Sequence, residues 1–435
     1  MSPFKVLLHP AGKLSSDRRG AVAMIFALAL VPVLGIVGLS VDYTTALVAK
    51  SRFQTSIDAA ALAGVRAAKA KLSERGGTSA QARAVAVAAA NQYLASNLPN
   101  INFVGTPTNI ADFTIEGGAI EATISYTAQM QTSMSRLFGI NSFQLGSKST
   151  VSTTLPRFVN TYFLLDNSAS MGLADDEANK ALMKRLTSNL HDRESRNCEF
   201  ACHGSNGEGT NYDIAMRNKV KLRIHSLRDA AIEAVLSAQA NVSVPGQYKF
   251  EVRSFDVSTT LVKEMSSDYP AVLSALQTID LTSISNKGNT LLSANVDAFA
   301  RYFEQEGISS KDGYSIDTPQ IVVVLVTDGI GDDRTSSEFY AGKVTRPYHP
   351  AISTRACDNL KRRGVKLVVV ETEYAAITGN YTYDTYVRPY RDEARHKLRS
   401  CASRGSYFLA HDATTIDDAF KKTFHNLVLP ARLID

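Results

Sequence analysis

The 435-residue chain has no tryptophan and only four cysteines, Cys198, Cys202, Cys357 and Cys401. It lacks a Gly-x-x-x-x-Gly-Lys loop to cradle nucleotide phosphates, which excludes a P-loop motor. It has no Gly-x-Ser-x-Gly elbow and its eight histidines are scattered, which argues against a serine hydrolase. Charge of one sign is also missing. The formal net charge is only +5, with basic residues in clusters no longer than Lys361-Arg362-Arg363, so nothing points to nucleic acid. No repeat of 20 to 50 residues and no low-complexity tract is visible, apart from alanine-rich stretches. A hydrophobic content of 44% is that of a folded protein, and the length leaves room for two or three domains.

The longest absence is of charge itself. Residues 21–41 carry none, enough to cross a hydrocarbon core of about 30 Å at roughly 1.5 Å per residue. Pro32, Gly35 and Gly38 are tolerable in such a helix. Lys5, Lys13, Arg18 and Arg19 precede the run, whereas only Lys50 and Arg52 fall in the next twenty residues. The positive-inside bias therefore predicts a cytoplasmic tail over residues 1–20, a transmembrane helix over 21–41 and the rest of the chain outside. A cleaved signal peptide would have a shorter apolar region, and the small residues near Gly38 run straight into further helix. An uncleaved anchor is expected.

Residues 42–71 continue as a helix, with Phe53, Ile57, Ala61 and Val65 on one face. The alanines beside them suit either close helix packing in a stalk or plain core burial. Gly76-Gly77-Thr78 breaks this helix, and a second alanine-rich one spans residues 79–97. From 101 to 154 the period changes to two, with Gly117-Gly118 as a hairpin turn and one helical turn at residues 133–138. Residues 42–155 thus form a small α+β module without a catalytic constellation. Leu155-Pro156-Arg157 links it to a second domain, 156–435.

The second domain is organised around residues 158–172. A short apolar run, 158–165, reads as a buried strand. Asp166, Ser168 and Ser170 stand where the chain leaves its C-terminal end, the edge at which open α/β sheets collect ligands. A second such strand, 320–326, ends in Thr327, Asp328 and Gly329. Between them Lys287-Gly288-Asn289-Thr290 breaks the chain just before an amphipathic helix carrying Leu291, Leu292, Val296, Phe299 and Phe303, so Thr290 offers a hydroxyl from a loop. Two carboxylates and three hydroxyls make an oxygen-only donor set, suited to a hard cation such as Mg²⁺. The plain alternative is that Asp166 and Asp328 are turn acids and the serines cap a helix. Helices are expected at 174–191, 219–240, 269–278, 291–306, 351–363, 391–404 and 415–429. They alternate with strands to give an α/β, doubly wound, mostly parallel sheet, whose hairpin of 248–255 and 260–265 lies at one edge.

The order Asp166-x-Ser168-x-Ser170, Thr290, Asp328 resembles the metal-ion-dependent adhesion site of von Willebrand factor A domains, over Arg157 to the C-terminus. The resemblance implies that Ser168, Ser170 and Thr290 bind Mg²⁺ (or Mn²⁺ or Ca²⁺) through their hydroxyls. Asp166 and Asp328 would bind directly or through water, and one position is left for a partner's carboxylate. The N-terminal motif Arg18-Arg19-Gly20-Ala21-Val22-Ala23-Met24-Ile25-Phe26-Ala27-Leu28 resembles TadE- and TadG-type proteins of the Flp (tight-adherence) pilus machinery. Processed prepilins of that machinery carry Glu five residues after the cleaved Gly. Ile25 stands there, which fits the anchored TadG type. The resemblance implies an inner-membrane, single-pass protein with its bulk in the periplasm. Its expected partners are other pilus-assembly or secretin components, with no small-molecule substrate.

Cys198 and Cys202 lie in a glycine-rich insertion near 192–216. A disulfide closing a small loop is the expectation, since no second ligand pair supports a zinc or haem site. Cys357 and Cys401 sit on two late helices able to face each other, as a second bridge or as buried thiols. Asp332 and Asp333 read as a solvated loop, and Asp175, Asp176 and Glu177 as first-turn helix acids. The enzymatic rival is a haloacid-dehalogenase-type Mg²⁺-dependent phosphatase. It needs a second Asp two residues after the first, where this chain has Ser168. The sequence therefore reads as a membrane-anchored, non-enzymatic binding protein, or alternatively a purely structural envelope or pilus subunit with a metal-free site.

Overall fold

The computed structural model describes residues 19–97, 103–191, 196–199, 210–282, 290–331, 339–340, 343–344, 351–373 and 383–428. The chain divides into two compact units: Met1–Lys71 with Thr78–Leu155, and Leu72–Gly77 with Pro156–Asp435.

In the first unit, α1 (Arg19–Ser73) is one unbroken helix of 55 residues that runs through Pro32. It is the one described helix long and apolar enough to cross a membrane, and it fits a single-pass anchor. Its N-terminal part exposes Val22, Ile25, Leu28, Val31 and Ile36. Beyond that a stripe at three- and four-residue spacing turns inward: Gly38, Asp42, Ala46, Ala49, Phe53, Ile57, Ala61, Val65 and Ala68. α2 (Ser79–Asn97) buries every fourth residue, Ala82, Ala86, Ala90 and Leu94. Small residues let these elements approach closely. A Cβ on Gly64 would overlap the ring of Phe113 and the carbonyl of Ala86. β1 (Thr108–Glu116), β2 (Ala119–Gln131) and β3 (Ser142–Thr154) form an antiparallel sheet in that order, longer than the sequence pattern predicts. Ile120, Ile124, Tyr126 and Met130 of β2 alternate inward, and Tyr126 stacks on Phe53 at 4.2 Å between ring centroids.

The second unit is built on a six-stranded sheet. Its strands are β4 (Val159–Asp166), β5 (Tyr248–Phe255), β6 (Thr259–Ser266), β7 (Gln320–Thr327), β10 (Lys366–Thr372) and β11 (Tyr407–Ala410), in the order β11-β10-β7-β4-β5-β6. All pair in parallel except β6, which closes one edge antiparallel to β5. The short strands β8 (Phe339–Tyr340) and β9 (Lys343–Val344) pair only with each other.

Helices cover both faces. On one face lie α3 (Glu177–Leu186), α4 (Asn211–Arg217), α5 (Arg223–Ala240), α6 (Tyr269–Gln277) and α10 (Ala413–Val428), around Phe163, Phe250 and Phe420. On the other lie α7 (Leu292–Gln305), α8 (Thr354–Arg362) and α9 (Arg391–Cys401), around Phe299 and Phe303. Burial on both faces explains why β4, β7 and β10 are nearly continuous apolar runs.

Two helices differ from the sequence expectation for identifiable reasons. The helix expected at 174–191 begins only at Glu177, because Ala174 pairs with Leu222 in an isolated bridge. Asp176 then caps it, accepting from the Asn179 N–H at 2.6 Å. The helix expected at 219–240 starts at Arg223, since Lys219 has φ +55°, which no helix interior accommodates. The chain before it forms the separate helix α4.

Cys357 on α8 and Cys401 on α9 are joined by a disulfide, across 44 residues of sequence. Cys202, and with it the expected Cys198–Cys202 pairing, lies outside the described residues. Replacing both Cys357 and Cys401 by alanine is expected to lower the stability of the second unit by about 2–4 kcal/mol. Urea unfolding of the full chain checks this, with an unchanged midpoint as the contrary result.

Candidate metal centre

From β4 the chain runs outward to β5 and β6 on one side, then crosses back to β7 on the other side and continues outward to β10 and β11, so the strand order reverses at β4. The crevice at the carboxyl ends of β4 and β7 is therefore the topological switch point of the sheet. Asp166 is the last residue of β4 and Thr327 the last of β7, with Asp328 following. The register that pairs Leu165 with Val326 sets these ends side by side.

The Asp166 carboxylate has no exposed surface. Its Oδ1 accepts from the Ser168 hydroxyl at 2.6 Å and the Ser168 N–H at 3.1 Å, and its Oδ2 accepts from the Thr327 hydroxyl at 2.7 Å. The Ser168 and Ser170 hydroxyls lie 3.1 Å apart. A 3₁₀ turn at Ala169–Gly172 holds Ser170 half-buried beside Ser168. Asp328 is also buried, its Oδ1 accepting from the Ile330 N–H at 3.2 Å. Gly329 must be glycine: its φ is +82°, and a Cβ there would meet Leu398 of α9 at 2.5 Å.

Thr290 is buried just ahead of α7. Its neighbour Leu291 donates its N–H to the Asp256 carbonyl at 2.9 Å, and the Asn295 side-chain amide donates to the same oxygen at 2.8 Å. Asp256 follows Phe255, the residue paired with Asp166. Thr290 is thereby tied to the end of the strand adjacent to Asp166. Residues 287–289 of that loop, and Asp332 and Asp333, lie outside the described residues.

Three residues here carry more than the sequence pattern assigned. Thr327 was legible only as a strand end, yet its hydroxyl donates to Asp166. Asp256 repeats the signal of Asp166 and Asp328, an acid after a buried strand, and its backbone carbonyl holds the start of α7 beside Thr290. Asp175 is not a helix-dipole acid. It is buried, accepting from Ser226 Oγ at 2.8 Å and from the Asn179 amide at 3.0 Å, and burial raises its carboxyl above the usual range.

The electrostatics identify what this cluster suits. Burial, and then the neighbouring Asp328 charge, push the Asp166 carboxyl up to about 7, against the lowering effect of the Ser168 and Thr327 hydroxyls. Two acids that resist ionising together, set among hydroxyl oxygens, form the hard donor set that a divalent cation neutralises. Among the described residues no three His, Cys, Asp or Glu side chains converge.

A doubly wound α/β unit with oxygen donors at its switch point thus follows an N-terminal apolar helix that fits a single-pass anchor. Residues 20–68 match the family described as Flp pilus-assembly TadE/G-like. No curated protein matches the chain. Similar solved structures include the PilB minor pilin from Streptococcus sanguinis, at 11% identity and TM-score 0.37, covering 74% of this chain and 77% of that one. They also include the vWF domain of the type V pili tip protein Mfa5 from Porphyromonas gingivalis (9%, TM-score 0.36, 63% and 96%). A third is proximal thread matrix protein 1 from the mussel byssus with a zinc-occupied MIDAS motif (12%, TM-score 0.33, 62% and 48%).

If Asp328 repels Asp166, removing its charge relieves the protein while damaging the site. In chelator at pH 8, Asp328→Asn is expected to be more stable than the wild type by on the order of 1 kcal/mol and so to melt at a higher temperature. Thermal melts in EDTA decide it, and a lower melting point contradicts the repulsion.

Proposed function

We propose that the chain is a membrane-anchored, non-enzymatic component of Flp/Tad pilus assembly. In this reading its C-terminal unit, residues 156–435, grips a partner through a divalent cation. The observation that carries the reading is the buried Asp166 carboxylate, surrounded by hydroxyls and by a second acid at the switch point of the sheet. Ser168, Ser170 and Thr290 would hold the ion through their hydroxyls, with Asp166 and Asp328 directly or through water. Mg²⁺ suits these oxygens best, with Mn²⁺ or Ca²⁺ as substitutes. A cation held by so few protein charges keeps affinity for one more carboxylate, and an acidic side chain of another pilus-assembly or secretin component supplies it. When bound, the ion contributes charge-assisted attraction; the protein fixes its position and excludes water around Asp166. The TadE/G-like match over residues 20–68 supports the pilus context, with the anchor in the inner membrane and the bulk of the chain in the periplasm. The Cys198–Cys202 bridge belongs to the same reading, as an oxidised loop in that compartment.

Ion binding to the folded state alone stabilises it by about 2.7 kcal/mol at a hundredfold excess over Kd. Mg²⁺ is therefore expected to raise the melting temperature of the wild type, and to leave Asp166→Ala and Thr290→Val unmoved. Crosslinking from membranes should recover a partner in Mg²⁺ and lose it in EDTA. A melting temperature indifferent to both ion and chelator would sink the metal reading and leave a structural subunit.

A further inference from the structure

The connection between β2 and β3, residues 132–141, is apolar where a surface loop is normally polar. Leu137 is 81% exposed, Met134 52%, Phe138 49% and Ile140 39%. The loop is nevertheless firmly held. The buried Asp42 carboxylate of α1 accepts from the N–H groups of Ser133, Met134 and Ser135 at 3.1, 2.9 and 2.6 Å. The Thr132 N–H donates to the Asn141 carbonyl at 3.1 Å, and Gly139 ends the 3₁₀ turn Ser135–Phe138 at φ +83°. From this pin the loop reaches back along α1 toward the N-terminus. A Cβ on Gly38 would lie 2.8 Å from Met134, and one on Gly35 would lie 2.9 Å from the ring of Phe138.

Those two glycines belong to the uncharged run. Arg19 marks its near end, and a hydrocarbon core of about 30 Å beyond it, at roughly 1.5 Å per residue, extends to about position 39. The contact at Gly35 falls inside that span and the one at Gly38 at its edge. Leu34, Ile36, Val37 and Leu39, the helix residues flanking the two glycines that Phe138 and Met134 approach, are exposed as well. Arg136, exposed in the same turn, is a long cationic side chain of the kind that reaches from an apolar layer to lipid phosphates.

We infer that residues 134–140 form a second membrane contact, seated in the bilayer leaflet nearest the β2–β3 hairpin and packed on the Gly35–Gly38 face of α1. This rests on α1 crossing the membrane. The occupant is lipid, because the apolar loop approaches the spanning helix within its uncharged run. The loop then sets the rotation of the helix and holds the first unit down on the bilayer surface.

The absence of tryptophan provides the test. Single-tryptophan variants Leu137→Trp, Val31→Trp in mid-helix and Ile110→Trp are made in the full chain and reconstituted in phosphatidylcholine vesicles, with or without acyl-chain bromination. Ile110 pairs with Ser125 of β2, six residues and about 20 Å before the strand's end at Gln131. The expected result is blue-shifted emission from Leu137→Trp and Val31→Trp, both quenched by brominated lipid, with Ile110→Trp unquenched. If Val31→Trp is quenched but Leu137→Trp is open to acrylamide, the second contact is overturned and the anchor stands. Leu137→Trp shielded from both quenchers means that protein covers the loop, which also overturns it. If neither helix nor loop position is quenched by lipid, the anchor reading falls and takes the inference with it.

Discussion

Two carboxylates at the ends of adjacent parallel strands govern the second unit. Water would ordinarily separate and solvate Asp166 and Asp328, but both are buried, and the β4–β7 register does not let them move apart. The hydroxyls of Ser168 and Thr327 offset part of the cost and leave the Asp166 carboxyl near neutrality. Such strain persists only where the surroundings impose it. Here apolar cores on both faces of the sheet, led by Phe163, Phe250 and Phe420 on one and by Phe299 and Phe303 on the other, supply the rigidity.

Asp42 makes the contrast plain. It too is a buried acid, but three backbone N–H groups converge on it. A carboxylate satisfied in that way is a structural pin, joining α1 to the β2–β3 connection. Asp166 has one backbone N–H, two hydroxyl donors and a repelling neighbour. The same residue type thus fastens the first unit and sits under electrostatic stress in the second, and the difference lies in what faces the oxygens.

Much of this was legible in the sequence. Short apolar runs marked β4 and β7, and the hairpin pattern over 248–255 and 260–265 marked β6 as the edge. The charge-free stretch and its basic flank marked the apolar half of α1. What was not legible depended on tertiary contacts. The true starts of α3 and α5 follow from the Ala174–Leu222 bridge and the backbone of Lys219, neither of which a periodicity reports. The role of Thr327 requires the register between two strands more than 150 positions apart. The apolar loop at 134–140 read as one turn between strands; only its placement against Gly35 and Gly38 gives Leu137 and Phe138 a physical reason.

The central claim is that hydroxyls and acids from three remote segments share one hard cation. The most direct measurement is anomalous diffraction from crystals of the protein grown with Mn²⁺ in place of Mg²⁺. The account predicts a single strong peak bonded to the Ser168 and Ser170 hydroxyl oxygens, within reach of Thr290, Asp166 and Asp328. A map with no peak at that rim, or with Mn²⁺ held elsewhere while these side chains keep their direct hydrogen bonds, would contradict it.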